Sequence, residues 1–306
     1  MTESSATRCG FVTIIGAPNA GKSTLTNALV GSKVSIVSPK VQTTRIRVKG
    51  IVMRDNAQII LIDTPGIFQP KKRLDRAMVA AAWEGQQDAD IIAVIIDISR
   101  KSAGKEAKDL LKKVHAHDAA KGKKLILLLN KTDHAKPEDY LPIAQELNDA
   151  YDFSATFMIS AQTGRCVDDL SAWLAKNIPE GSYLYPEDEL SDLPERLLAA
   201  EITREKLFLQ MHEEIPYALT VETESWEEFE NGDVKISQVI FIARDAHKPM
   251  ILGKGGSRIK QIGQASRTEL EKILDRRVHL NLFVKVKENW MDDPERFRVW
   301  GLDHSS

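Results

Sequence analysis

GAPNAGKST, residues 16–24, directly follows the apolar run Phe11–Ile15 and opens a stretch of helical periodicity, Lys22–Val30. Its first eight residues fit G-x-x-x-x-G-K-[S/T] in the strand–loop–helix setting that the pattern requires. The chemistry follows from the spacing. Backbone amides of the cradle formed by Gly16, Ala17, Pro18, Asn19, Ala20 and Gly21 wrap a β-phosphate, helped by the N-terminus of the helix that carries Thr24. Lys22 reaches the β and γ oxygens, and Ser23 is placed to hold magnesium. The plainer alternative is a glycine turn at a strand–helix junction.

Apolar strands and amphipathic segments alternate outward from this loop. Strand patterns lie at Phe11–Ile15, Ile46–Val52, Ile59–Ile62, Ile91–Ile96, Leu125–Leu129 and Thr156–Ile159, with helical patterns such as Leu74–Gln87 and Lys105–His115 between them. Strands that read apolar throughout are buried on both faces, as in a parallel sheet covered by helices. The expectation is an α/β domain over residues 1–180, with a mostly parallel sheet. The chain has 306 residues, enough for about two domains. With 42% hydrophobic and 28% charged residues it is composed like a globular protein with real cores.

Further signals fall at strand ends. Asp63-Thr64-Pro65-Gly66 follows Ile59–Ile62; Asp63 is placed to orient magnesium through water, and the Gly66 amide to bond a γ-phosphate. Asn130-Lys131-Thr132-Asp133 follows "LLL", and a carboxylate at Asp133 accepts N1–H and the exocyclic amine of guanine. Adenine offers neither, and such a bidentate contact discriminates by about 1–3 kcal/mol. Ser160-Ala161 follows Thr156–Ile159 and offers a backbone N–H to the guanine O6. These boxes favour GTP over ATP.

With "QTTRI" from Gln42 included, the boxes resemble, in order, those of the translation-factor class of GTPases. The resemblance implies that Thr43 or Thr44 completes the magnesium shell, with Thr44 favoured; the alternative is a polar loop entering the next strand. Many small GTPases carry a water-orienting glutamine after the glycine of the Asp63–Gly66 box. Ile67 stands there and cannot polarise water, so hydrolysis is expected to be slow or assisted. In the subfamily resembled, an asparagine at the position of Asn19 holds a potassium ion against the phosphates; a turn residue beside Pro18 is the equal alternative. The expected catalytic set is Lys22, Asn19, Thr44 and Gly66.

Near Ile178 the texture changes to "IPEGSYLYPEDELSDLPER", read as a linker over residues 181–193 that packs through Tyr183, Leu184 and Tyr185. Beyond it the order is helix (Pro194 to about His212), strand (Tyr217–Ser225), strand (Lys235–Arg244), glycine loop, helix (Ser257–Leu274) and strand (Val278–Val286). Gly253-Lys254-Gly255-Gly256 is G-x-x-G without the spacing of a nucleotide loop, and no base-reading box follows it. Between an apolar pair and a helix it fits the loop of a KH domain, which lies against the backbone of a single RNA strand. Lys248, Lys254, Arg258, Lys260 and Arg267 add positive charge; a solvated basic turn is the alternative. The expected second domain, residues 194–306, is a smaller α+β domain of the type II KH arrangement.

A GTPase domain followed by this KH domain is similar to the Era family of bacterial ribosome-assembly GTPases, with "CGF" and "YLYPED" also shared. The resemblance implies GTP/GDP and Mg2+ as ligands, with K+ as a further ion. It also implies binding to the 3′ end of 16S ribosomal RNA, action on the 30S subunit, and a peripheral contact with the inner membrane. No DNA partner is expected, and a monomer is. A tRNA-modifying GTPase shares the boxes, but the KH domain disfavours it. A passive RNA-binding protein need not keep Lys22, Ser23, Asp63 and Asp133. Net charge is −2, so any RNA-binding surface must be local. Two distant cysteines, Cys9 and Cys166, exclude a disulfide scaffold, and the seven histidines show no ligand spacing. No run approaches the twenty apolar residues of a membrane helix and the start is polar, so a cytoplasmic location is expected. Lys71-Lys72-Arg73 reads as a solvated loop, with a contact to RNA or the KH domain as the alternative.

Overall fold

Apolar runs without alternation need cover on both faces, and the first half of the chain provides it. The computed structural model describes residues 6–67, 70, 73–85, 87–116, 121–212 and 214–293. Its elements begin with β1 (Arg8–Gly16), α1 (Lys22–Val30), β2 (Val48–Arg54), β3 (Ala57–Asp63), α2 (Arg73–Glu84), β4 (Ile91–Asp97) and α3 (Ala103–Ala116). Then come β5 (Lys124–Asn130), α4 (Pro137–Ala150), β6 (Ala155–Met158) and α5 (Val167–Asn177). The sheet order is β2-β3-β1-β4-β5-β6, parallel except for β2, which runs antiparallel to β3. In β4, Ile91, Ala93 and Ile95 join the core under α1 and α5, whereas Ile92, Val94 and Ile96 join the core under α3 and α4. Both faces of the run are thus buried, as its composition requires.

The register aligns the strand ends that matter. Ile14 pairs with Asp63 on one side and Ala93 on the other, and Asp97 pairs with Asn130. Gly16, Asp63, Asp97 and Asn130 therefore share one edge of the sheet. There β1, flanked by β3 and β4, marks the change in winding direction where open α/β sheets bind ligands.

The second half holds α6 (Glu195–Gln210), β7 (Leu219–Glu228), β8 (Val234–Ile242), α7 (Lys248–Leu252), α8 (Ser257–Leu274) and β9 (Val278–Val286). β7 is antiparallel to β8, and β8 is parallel to β9. Leu207 and Phe208 of α6 and Ile262 of α8 pack on one face of this sheet, against Leu219, Ile240 and Ile242. α7 was not expected; its five residues are too few to show a period.

Residues 181–193 run along the edge of the first sheet. The Ile51 N–H donates to Leu190 O (2.9 Å), and the Lys49 N–H to Asp192 Oδ1 (3.0 Å). Gln58, fully buried in β3, accepts from the Leu184 and Tyr185 N–H groups at 2.8 and 3.1 Å and donates to Tyr185 O at 2.8 Å. The expected packing of Leu184 is corrected here: its side chain is 61% exposed, and it is the backbone that is held. Tyr185 does pack, its hydroxyl 3.1 Å from Lys49 Nζ. Among the described residues no helix is long and apolar enough to cross a membrane. Lys71 and Lys72, and the tail from Pro294, lie outside the described residues.

Candidate functional site

At the end of β1 the chain turns through Asn19 (φ +64°) and Gly21 (φ +102°) into α1. A Cβ on Gly21 would stand 2.2 Å from Asn130 Nδ2, so only glycine allows the close approach of these two segments. Asn130 is a brace. Its Nδ2 donates to Ala20 O (2.8 Å), and its Oδ1 accepts from the Ala161 N–H (3.0 Å). The Ala161 amide expected to face guanine is therefore already given to Asn130. Thr132 is buried and donates to Ile159 O (3.0 Å), which ties the two base-side loops together. Lys131 donates to Asp97 Oδ2 (2.6 Å). Although burial raises the Asp97 pKa, hydrogen bonds from Lys131 and Ser99 hold it below the usual carboxylate range. Asp133 lies at the surface; a hydrogen bond with Ser160, above all, keeps its carboxyl low.

The phosphate end is tighter. Lys22 is 6% exposed and donates to Gly16 O (3.2 Å) and Ala17 O (3.0 Å). Burial pushes its ammonium down to about 8, against the opposite pull of Asp63. Burial also raises the Asp63 pKa; its Oδ2 accepts from Ser35 Oγ at 2.8 Å, while Oδ1 is buried with no hydrogen-bond partner. Ser23 Oγ stands 2.8 Å from Thr44 Oγ1. Thr43 turns away, its hydroxyl bonded to Lys40 O and Ser38 Oγ. The structure thus brings Thr44, not Thr43, to Ser23. Asn19 Nδ2 donates to Pro39 O (2.7 Å), joining the first loop to the segment that carries Thr44. Gly66 abuts Pro18, where a Cβ would come within 2.9 Å of its nitrogen. Thr64 is spent on Ile14 O (2.9 Å), Pro65 is buried beside it, and Ile67 packs into the core under α3 and α4. One cleft is lined by Pro18, Lys22, Ser23, Thr44, Gly66 and Lys131.

Sequence reasoning missed Asn27, Ser35 and Asp97. Asn27 Oδ1 accepts from the Val34 and Ser35 N–H groups, both at 2.9 Å, and so sets Ser35 against Asp63. Asp97 was the legible one: it is the first charged residue after a wholly apolar strand.

The second candidate surface joins α7 and α8. Gly253, Gly255 and Gly256 have φ of +71°, +59° and +77°. At Gly253 a Cβ would lie 2.7 Å from that of Arg258. Lys254, Arg258 and Lys260 are exposed; Arg258 Nη1 donates to Met250 O (2.6 Å). A groove runs on from the loop between α8 and β9, lined by Lys260, Gly263, Arg267, Leu280, Asn281 and Phe283. Phe283 is 51% exposed, an aromatic face open to solvent.

A Walker-type cradle at a sheet switch point, with guanine-reading boxes beside it and a G-x-x-G loop in a second α+β unit, defines a P-loop GTPase joined to a KH domain. Profiles of known families agree: "50S ribosome-binding GTPase" matches residues 11–131 and "KH domain" residues 214–291. The chain is 57% identical over 299 residues to GTPase Era of Sinorhizobium medicae, covering 97% of this chain and 94% of that one. It is 56% identical to GTPase Era of Brucella suis, covering 99% and 96%. The chain belongs to the Era family and is a GTPase. Two solved structures share the whole architecture at 39% identity, covering 97% of this chain and all of theirs. One is Era with MgGDPNP and nucleotides 1506–1542 of 16S ribosomal RNA (TM-score 0.89); the other is an Aquifex aeolicus Era variant bound to GDP and AlF4− (TM-score 0.87).

Proposed function

We propose that this chain is a GTP-driven switch that binds the 3′ end of 16S ribosomal RNA through its KH domain and acts in assembly of the 30S subunit. One observation carries the reading: two glycine-rich loops, Gly16–Ser23 and Gly253–Gly256, sit in separate folding units, and the architecture of both units is shared with the Era complex with MgGDPNP and 16S RNA. On this reading residues 1–180 hold the nucleotide, 181–193 link, and 194–306 hold RNA. A cytoplasmic location, a peripheral contact with the inner membrane and a monomeric state belong to the same reading and rest on family resemblance.

The phosphate end fits magnesium. Octahedral Mg2+ binds oxygen at about 2.0–2.1 Å, so adjacent ligands stand about 2.9 Å apart. The Ser23 and Thr44 hydroxyls are 2.8 Å apart, and the orphaned Asp63 Oδ1 is free to orient a metal-bound water. When bound, the ion neutralises charge on the β and γ oxygens. Lys22 exchanges its two carbonyl acceptors for phosphate oxygens. The Gly66 amide bonds the γ-phosphate. Ile67 orients no water, which leaves room for K+ held by Asn19, whose amide already reaches the Pro39 carbonyl. At the base end Asp133 accepts from guanine, Asn130 keeps the pocket closed, and Lys131, Thr132, Ser160 and Ala161 form its walls. Guanine would cover Asp133 and donate to it, whereas an adenine in its place would cover the carboxylate without offering the two base donors. In the KH unit Gly253, Lys254, Gly255, Gly256, Arg258 and Lys260 follow the RNA backbone, and the α8–β9 groove takes bases.

The test is separate failure of the two loops. Asp is among the residues that best tolerate the φ of +59° at Gly255. A Lys254→Asp, Gly255→Asp variant should therefore stay folded, lose RNA affinity and keep GTP affinity. Measured with the other ligand absent, Lys22→Ala should do the reverse. Fluorescence anisotropy with labelled RNA and labelled nucleotide reads both. Full RNA affinity in the folded loop variant would place RNA elsewhere.

A further inference from the structure

Among the described residues Arg45 and Arg204 are the two largest charged side chains that are buried, at 2% and 1% exposure, and nothing in the nucleotide chemistry above uses them. Burying a guanidinium is costly unless its donors are paired. Arg204, on α6, forks onto Glu201 through Nε (2.7 Å) and Nη2, and Nη2 also donates to the carbonyl of Thr43. Arg45 donates in the opposite direction across the same boundary, to Leu219 O at 2.8 Å and Pro216 O at 3.3 Å. Both guanidiniums lie on the Phe208 ring, 5.6 Å (Arg45) and 5.0 Å (Arg204) from its centre. Thr44 stands between these two attachments in the sequence. Further back the same segment is held at the Val37 N–H by Glu205 Oε1 (2.7 Å) and at Lys40 Nζ by the Phe208 and Met211 carbonyls. Every one of these partners belongs to the C-terminal half.

We propose that Arg204, on the first helix of the RNA-binding half, is a positioning residue for GTP: through the Thr43 carbonyl it holds the Thr44 hydroxyl at Ser23, where the magnesium of a triphosphate is bound. The proposal rests on Thr44 being the metal-binding threonine. It makes part of the nucleotide site a property of the second domain. It also distinguishes nucleotides, because a GTPase loop of this kind is ordered by the γ-phosphate and its magnesium and released in the diphosphate.

The full-length protein is titrated with GDPNP and with GDP, each over a range of Mg2+ concentrations, for wild type, Thr44→Ala and Arg204→Met. Both variants are expected to bind GDPNP about tenfold more weakly, to need more Mg2+ for it, and to bind GDP as before. Arg204→Met strands Glu201, so a second variant, Glu201→Leu with Arg204→Met, removes both charges together and must show the same loss for GDPNP alone. A folded Arg204 variant that binds both nucleotides normally, or loses both alike, overturns the proposal while Thr44→Ala still shows the GDPNP-specific loss. If Thr44→Ala itself leaves GDPNP binding and its Mg2+ dependence unchanged, the reading of Thr44 fails and the proposal falls with it.

Discussion

Lys22 gives the nucleotide site a pH dependence whose size follows from its surroundings. The ammonium is buried at 6% exposure, bonded to two neutral carbonyls, and pushed down to about 8. On the proposed function, a bound nucleotide would replace those carbonyls with charged phosphate oxygens, which favour the protonated form and raise the pKa. The free protein therefore has the lower pKa, and binding takes up a proton. Affinity is complete below about 8 and is lost as pH rises through that value. At pH 7 about one protein in ten carries neutral Lys22, and at pH 8.5 about three in four. Proton uptake on binding should rise from about 0.1 to about 0.75 over that interval, and affinity should fall about fourfold. Calorimetric titration with GDP in two buffers of different ionisation enthalpy measures the uptake directly. Lys22→Met should bind weakly with no such uptake. Uptake that stays flat between pH 7 and 8.5 in the wild-type protein would refute the picture of a lysine buried against carbonyls.

Other perturbations address other parts of the chain. Asp133→Asn should exchange guanine preference for xanthine, whose 2-carbonyl matches an amide; unchanged GTP affinity would remove Asp133 from the base site. Replacing sodium by potassium should raise GTP turnover, and Asn19→Ala should flatten that response; equal rates in both salts would leave Asn19 as the residue that ties the loop to Pro39. Gln58→Met strands two N–H groups and a carbonyl of the linker, so urea unfolding should show a loss of about 2 kcal/mol, and no loss would mean the linker contributes nothing to stability.

The sequence was most legible where local chemistry is complete in itself. The expected bounds of Lys22–Val30, Ser257–Leu274 and Val278–Val286 coincide with α1, α8 and β9, because glycines at 21 and 256 mark both helix starts. Ile67, read as unable to hold water, is in the core. The segment between α1 and β2 was not legible beyond its threonines. It has no period, and its shape is set by Asn27 from one side and α6 from the other. The strand expected from Ile46 begins at Val48; just before it the Arg45 side chain ties the segment to the second domain through Leu219 O. Nor could sequence alone bury Arg45 and Arg204: an arginine reads as solvent-facing until the carbonyls and the ring that receive it are placed. Leu184 fails in the opposite sense, an apolar residue left outside because its backbone, not its side chain, is the anchor.

The central claim is that nucleotide state governs RNA binding, and a single equilibrium measurement reaches it. A labelled RNA with the 3′-terminal sequence of 16S ribosomal RNA is titrated with the protein saturated with Mg-GDPNP and, separately, with Mg-GDP, at one salt concentration. Coupling between the two sites should make the GDPNP form bind at least about fivefold more tightly, and RNA should in turn tighten GDPNP binding by the same factor. Equal RNA affinity in the two nucleotide states would contradict the account and leave a GTPase and an RNA-binding domain that merely share a chain.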